Sequence, residues 1–426
     1  MLNQTENELL CRVEGDAPMG QLMRKHWMPA CLTEEVPTSD CDPIPIRLMG
    51  EDLLAFRDSQ GRVGITDRYC PHRRASLVYG RNEDDGLRCL YHGWKINVLG
   101  DVTEMPSEPA ASCLAQKVKH KAYSTHEHGG FVWVYMGCTT ATPEAVPAFT
   151  PPPFAPTAKA KLSIVKIAID CNWAQVLEGA IDSAHSSSLH SSDMKPARVN
   201  AAKATADLWL RPSTDKAPRL HAIHSDYGFK YAALRRPISN AATHDYIRMS
   251  VFVAPLTVLI PPNDQYNVAN INVPIDDTHT MFHFIAWTED GTGGTDTESW
   301  RKFCGAQVGV DVDSSFKKIR TLHNHYLQDR EAMKQGNFTG IRGIPNQDIA
   351  MWETMGPIAD RSNDRLGASD LAIVEFRKTM VSAVKRFIAG EPAIASPQTI
   401  DPAKPLHALR SFEGIVSKET DWRTIV

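Results

Sequence analysis

"YCPHRRASLVYGRNEDDGLRCLYHGW" occupies residues 69–94 and holds two Cys-His pairs. Cys70 and His72 are one residue apart, Cys89 and His92 are two apart, and sixteen residues lie between the pairs. Two thiolates and two imidazoles on paired short loops suit a four-ligand metal site. Zinc takes Cys₂His₂ sets, but a zinc finger usually groups Cys with Cys and His with His. Here each loop supplies one of each. That suits a two-iron cluster crossed by both loops, with the cysteines on one iron and the histidines on the other. Histidine in place of thiolate makes such a cluster less negative and raises its potential, to between about −150 and +300 mV. Zinc stays open as the rival, and colour separates the two: a zinc protein is colourless, the iron–sulfur protein red-brown.

The surrounding sequence is β-rich. "DLLAFRDSQGRVGITD" (52–67) reads as a hairpin around Ser-Gln-Gly, and "GGFVWVYMG" (129–137) as a strand. Six prolines crowd "PEAVPAFTPPPFAPTA" (143–158), a run that disfavours helix and sheet and marks a linker. Three parts follow: a metal-binding module over 1–142 with an N-terminal helical segment, a linker over 143–158, and a larger domain over 159–426. Past the linker, "KLSIVKIAI", "YIRMSVFVAPLTVLI" and "HTMFHFIAW" read as strands, "CNWAQVLEGAIDSAH" as a helix, and 345–390 as helical. Strands and helices do not alternate, so the fold class is α+β with an antiparallel sheet flanked by helices. At 426 residues two domains are expected.

Composition excludes several classes. A formal net charge of −4 gives no reason to expect nucleic acid or an acidic membrane as partner. No apolar run approaches the roughly 20 residues that span a bilayer. The opening "MLNQTENELLCR" lacks the apolar core of a secretory signal, so a cytoplasmic location is expected. The seven cysteines outside the metal motif, scattered from Cys11 to Cys304, suit buried reduced thiols better than disulfides. The Gly-rich "DGTGGTD" (290–296) lacks nucleotide-binding spacing and reads as a surface loop.

A second constellation lies in "CNWAQVLEGAIDSAHSSSLHSSD" (171–193). Trp173, Val176, Leu177, Ala180, Ile181 and Ala184 form an apolar stripe, while Glu178, Asp182 and His185 fall together on another face. His190 follows His185 by five residues, a rotation of about 140° on a straight helix. Both can serve one metal only where the helix bends or ends, and Ser186 to Ser188 supply that place. Two histidines plus a carboxylate, with open positions, is the facial triad of non-heme Fe(II) oxygenases. His323 and His325, as H-x-H, point to different faces and read as surface or structural.

C-x-H, sixteen residues, then C-x-x-H-G-W resembles the Rieske [2Fe–2S] motif. D-x-x-H-x₄-H downstream of it resembles the catalytic iron motif of Rieske ring-hydroxylating oxygenases. The resemblance runs over nearly the whole chain, from "ENELLCRVEGDAPMGQLMRKHWMPACL" to "TDWRT". It implies Cys70, His72, Cys89 and His92 as cluster ligands, and His185 and His190 on a mononuclear Fe(II) with O₂ as co-substrate. "GIPNQDIAMWETMGPIADRSNDRLGASD" (343–370) resembles the segment that supplies the third ligand in the phthalate-dioxygenase group, here Asp348, with Glu353 and Asp360 as lesser candidates. Asn346 reads as the N-cap, which puts Asp348 in a first helical turn. The matching Asp182 is implied to bridge His185 to a cluster histidine, His92, of a neighbouring subunit, so a trimer, or stacked trimers, is expected. The O-demethylase relatives carry N-x-x-D before the first histidine, and this chain has Gly179 at the Asn position.

Within that family the phthalate-dioxygenase group implies an aromatic dicarboxylate substrate and 4,5-cis-dihydroxylation. The alternative is a Rieske dioxygenase, monooxygenase or O-demethylase of isophthalate or another aromatic acid. Arg211 and Arg248 match the family's carboxylate-binding positions, and Ser183 a further contact. Arg248 interrupts an apolar strand, a costly place for an unpaired charge. With no nucleotide fingerprint in the chain, electrons are expected from a separate NAD(P)H-dependent reductase.

Overall fold

The hairpin read at 52–67 forms: Glu51–Arg57 pairs antiparallel with Val63–Asp67, Arg57 opposite Val63. It lies in a six-stranded sheet ordered Trp27–Leu32, Phe131–Tyr135, Ala122–His128, Val63–Asp67, Glu51–Arg57, Ile44–Leu48. A four-stranded sheet of short strands, Arg81–Glu83, Gly86–Arg88, Lys95–Ile96 and Val102–Glu104, carries the second Cys-His loop. Leu54, Phe56, Leu77, Leu87 and Trp94 pack with Cys70 and Cys89 into one buried cluster, so the thiols face a core and not solvent. The computed structural model describes residues 2–109, 111–199, 203–204, 209–261 and 266–425.

The chain divides into two compact units, Val13–Thr150 and Met1–Arg12 with Pro151–Val426. The boundary falls at 150/151, inside the proline run read as a linker, and one element lies elsewhere than expected. The N-terminal helix Gln4–Cys11, expected with the first module, belongs to the second unit. Its polar groups explain why: Asn7 Nδ2 donates to Ala359 O at 2.9 Å, Arg361 Nη1 donates to Asn7 Oδ1 at 3.0 Å, and Asn172 Nδ2 donates to Cys11 O at 2.9 Å. Buried polar groups need such partners, and here all of them lie in one unit.

The second unit is built on an eight-stranded antiparallel sheet: Lys161–Ile169, Thr280–Thr288, Asn267–Pro274, Thr257–Ile260, His244–Val253, Gly228–Arg235, Arg219–Ser225, with Phe412–Ser417 pairing beside His244–Val253. The run read at 246–260 is two strands and not one. It breaks after Val253, where Pro255 has no N–H to give a ladder. Helices Trp173–Ile181, Ile344–Thr354 and Leu371–Ile388 accompany the sheet. Asn346 is not the N-cap. Gly343 holds that position, Pro345 sits in the first turn, and Asn346 is buried with its Nδ2 donating to Gly305 O at 2.8 Å. Asp348 therefore stands one turn further in than expected. All nine cysteines are free; Cys11, Cys31, Cys171 and Cys304 are buried as expected, whereas Cys113 is exposed. Among the described residues no helix is long and apolar enough to cross a membrane.

Candidate active site and metal centres

The two Cys-His loops share one backbone design. Cys70 N donates to Ala75 O and Arg74 N to Cys70 O, at 2.8 and 2.9 Å. Cys89 N donates to Trp94 O and Gly93 N to Cys89 O, at 2.8 and 3.0 Å. In each loop the residue four past the cysteine takes positive φ, +61° at Arg74 and +75° at Gly93. A Cβ on Gly93 would stand 2.6 Å from Pro106 Cγ, so glycine is required there by both conformation and contact. Each loop buries its cysteine and leaves its histidine half-exposed. The His72 and His92 rings meet at 4.5 Å, and His72 stacks on Trp94 at 4.6 Å and 8°. Nδ1 of His92 is buried and has no hydrogen-bond partner. Burial, with Cys89 beside it, pushes the Cys70 thiol up to about 11. Two buried thiols side by side and an imidazole nitrogen with nothing to bond are groups that a bound cation satisfies, so this donor set fits a [2Fe–2S] cluster.

In the second unit the helix after Asn172 stops at Ile181, earlier than the run 171–185 suggests. Asp182 ends it. Its backbone turns extended (ψ 127°), and its Oδ1 accepts from Ala184 N at 2.7 Å, a local bond that competes with the helix ladder. Tyr231 Oη donates to the last helical carbonyl, Ile181 O. His185 opens a short 3₁₀ turn to Ser187, and the chain returns His190 to the same point. Glu178 consequently parts from Asp182: it pairs with Arg361 and Arg377 at 2.8 and 2.7 Å.

His185, His190 and Asp348 converge, their ligating atoms all within 4.8 Å of one another. Nε2 of His190 is 3.1 Å and Nε2 of His185 3.4 Å from Asp348 Oδ1. Glu353 and Asp360 do not join them. Glu353 pairs with Lys318 at 2.7 Å, and Asp360 caps Ser362. Both histidines turn Nε2 inward and are held from behind through Nδ1, His185 by Asp182 Oδ2 at 3.4 Å and His190 by Gln347 Oε1 at 2.8 Å. Gln347 in turn donates to Asp193 Oδ2 at 2.9 Å. Oriented imidazoles with a carboxylate beside them fit a divalent iron. Burial works to lower the His185 pKa, and Asp182 and Asp348 outweigh it and hold it raised. His323 and His325 are exposed and lie outside the group.

A cavity meets this group and is otherwise lined largely by Trp209, Tyr231, Ile260, Phe282, Phe284 and Trp352, with Arg248, Ser183 and Asn270 among its polar groups. Arg248 is buried and paired with Glu413 at 3.2 Å. Arg211 reaches the cavity wall indirectly, donating to Ser187 Oγ at 3.1 Å and Ser186 Oγ at 3.0 Å. Ser183 receives Arg235, whose Nη2 donates to its carbonyl at 2.7 Å and Nη1 to its Oγ at 3.2 Å. Sequence reasoning missed Gln347, Arg235 and Glu413. Only Gln347, next to Asp348, carried a signal that could have been read. Gly179 also has its reason: a Cβ there would meet Trp352 Nε1 at 2.1 Å, where the two helices touch.

Residues 26–120 match the Rieske [2Fe-2S] domain family, and 134–426 match the family described as LigXa C-terminal domain like. The chain is 64% identical over 424 residues to the phthalate 4,5-dioxygenase oxygenase subunit of Pseudomonas putida, covering 99% of this chain and 94% of that one. It is 34% identical over 436 residues to the 3-chlorobenzoate-3,4-dioxygenase oxygenase subunit of Comamonas testosteroni, covering 98% and 96%. Among solved structures, the terminal oxygenase of carbazole 1,9a-dioxygenase from Novosphingobium sp. KA1 shares the fold with a TM-score of 0.56 at 20% identity, covering 88% of this chain and 97% of that one. The corresponding oxygenase from Nocardioides aromaticivorans IC177 gives 0.57 at 15%, covering 89% and 97%.

Proposed function

Since this chain belongs to the Rieske oxygenases, we propose that it is the oxygenase component that adds both atoms of O₂ to phthalate, giving the 4,5-cis-dihydrodiol. The balance needs two electrons and two protons, which a separate NAD(P)H-dependent reductase supplies. When bound, the cluster carries single electrons and the mononuclear iron activates O₂.

The chain's own residues do the rest. Cys70, Cys89, His72 and His92 hold the cluster; His185, His190 and Asp348 hold the iron. The aromatic wall of the cavity excludes water and presents the ring to the iron, while cationic groups fix the carboxylates. The observation that carries this reading is the buried Arg248, on the wall of a largely aromatic cavity that abuts the converging His185, His190 and Asp348. The 64% identity to a phthalate 4,5-dioxygenase subunit supports the same substrate.

Asp182 lines the cavity, keeps 23% of its side chain exposed, and touches His185. We assign it the bridge to His92 of a neighbouring subunit in a trimeric ring or stacked trimers, within the cytoplasm. Turnover with phthalate, NADH, O₂ and a cognate reductase, followed by mass analysis, tests the reading. A product heavier than phthalate by two oxygen and two hydrogen atoms supports it. A monohydroxylated product, or turnover of isophthalate alone, replaces it with the alternative.

A further inference from the structure

The face of the large sheet that looks into the cavity carries more charge than Arg248 alone, and Arg211 stands near it on the short strand Trp209–Arg211 of a separate sheet. Register puts Arg235 opposite Tyr246, and Arg248 opposite Glu413. Side chains alternate between faces along a strand. Arg235, Tyr246, Arg248 and Glu413 therefore share a side with Tyr231 and Ser250, both of which line the cavity. Arg211 and Arg235 are buried behind it, one serine away, and the Glu413 side chain is only 2% exposed.

Glu413 accepts from Tyr246 Oη and from Arg248 Nη1; burial pushes its carboxyl up, and Arg248 and Tyr246 work against that to favour the ionised form. It is the one carboxylate against three guanidinium groups. Among the described residues this leaves two positive charges in excess. At the iron end, Asp182 and Asp348 match the charge of a ferrous ion. Among the described residues, Nε of Arg211 and Nε of Arg235 are buried without hydrogen-bond partners. Burial, with Arg211 and Arg248 close by, brings Arg235 down to about 10, the mark of cations held together.

We propose that this fixed charge, three guanidinium groups set against Glu413, selects a dianionic substrate over a monoanionic one, and that Arg235 and Glu413 are its specificity-setting residues. A dianion leaves no surplus charge buried; a monoanion leaves one uncompensated cation in a medium where that is costly. Arg235 acts as a positioning residue as well, since it fixes Ser183. The inference rests on the dicarboxylate reading above.

Changing the site's charge by one unit acts twice as strongly on a dianion as on a monoanion. The two residues therefore move selectivity in opposite directions, which a merely structural role does not do. The test measures phthalate and benzoate dissociation constants under nitrogen by calorimetry on holoenzyme with both iron centres verified. Relative to wild type, preference for phthalate falls about tenfold or more in Arg235→Gln, rises by a similar factor in Glu413→Gln, and stays within about threefold in Arg235→Lys. Unchanged preference in both glutamine variants, or shifts of the same sign, overturns the proposal. If Glu413→Gln does not retain its irons, the contrast of Arg235→Gln with Arg235→Lys decides: equal loss in the two overturns it. Wild type that binds benzoate as tightly as phthalate removes the dicarboxylate reading itself.

Discussion

Nδ1 of His190 lies 2.8 Å from Oε1 of Gln347, the residue that immediately precedes Asp348 on the same helix. One turn of backbone therefore delivers the carboxylate that converges with His185 and His190 and the acceptor that orients His190. With the Gln347 oxygen accepting, His190 keeps its proton on Nδ1 and turns the Nε2 lone pair toward Asp348, where a metal would be held.

Gln347→Leu removes that acceptor. Mononuclear iron affinity is expected to fall about 10–100-fold, the usual cost of losing such a partner. Metal analysis after mild chelation reads it, and the Rieske absorption spectrum stays as in wild type. Gln347→Glu, which restores an acceptor, recovers most of the iron. Full iron retention in Gln347→Leu would show that Gln347 does not orient the ligand.

Arg211 and Arg248 are tested separately. Loss of one charged hydrogen bond costs about 1.5–3 kcal/mol, so Arg248→Gln raises KM for phthalate about ten- to a hundredfold, and Arg211→Gln, which acts through Ser186 and Ser187, raises it by less. Both iron centres stay occupied. The Arg248 variant also loses thermal stability, because Glu413 is left buried without its partner. Kinetics with phthalate unaltered in both variants would reject them as carboxylate contacts.

Gly179→Ala places a methyl where Trp352 Nε1 already stands. Overpacking of this kind costs about 1–3 kcal/mol. The unfolding midpoint drops, and because Trp352 shares its helix with Asp348, iron content drops with it. Adding Trp352→Leu restores part of the stability. An alanine variant as stable as wild type would mean that the two helices part at no cost.

His283 supplies a pH test away from the metal centres. Burial, with Lys166 nearby, lowers its pKa from the ordinary 6.5 to about 3. Below pH 6.5 the unfolded chain takes a proton that the folded chain refuses until about pH 3. Stability is therefore lost as pH falls through that window, by about 2 kcal/mol at pH 5. Denaturant unfolding at pH 7 and pH 5 should show a smaller pH dependence in His283→Gln than in wild type. Equal dependence in the two proteins rules the histidine out as a source.

The cluster motif was legible in the sequence because its four residues lie on two short loops within 70–92, where spacing alone dictates proximity. The bend between His185 and His190 was legible from its serines, although Asp182, and not the serines, ends the helix. Asp348 was reachable only by resemblance, since nothing local ties it to histidines far upstream. Asn346 misled as a cap because Gly343 and Pro345 start the helix earlier, and the asparagine instead satisfies a buried carbonyl.

What the amino-acid order determined by itself is short-range: the paired loops, the helix that fails after Asp182, the strands and their breaks. What tertiary structure alone decided is who meets across the sheet. Arg235, Arg248 and Glu413 share a face because strands Gly228–Arg235, His244–Val253 and Phe412–Ser417 pair in one register. A slip of a single residue would turn every one of those side chains to the opposite side. Charge in the cavity is thus a property of register, which is set by the packing of residues far apart in the chain.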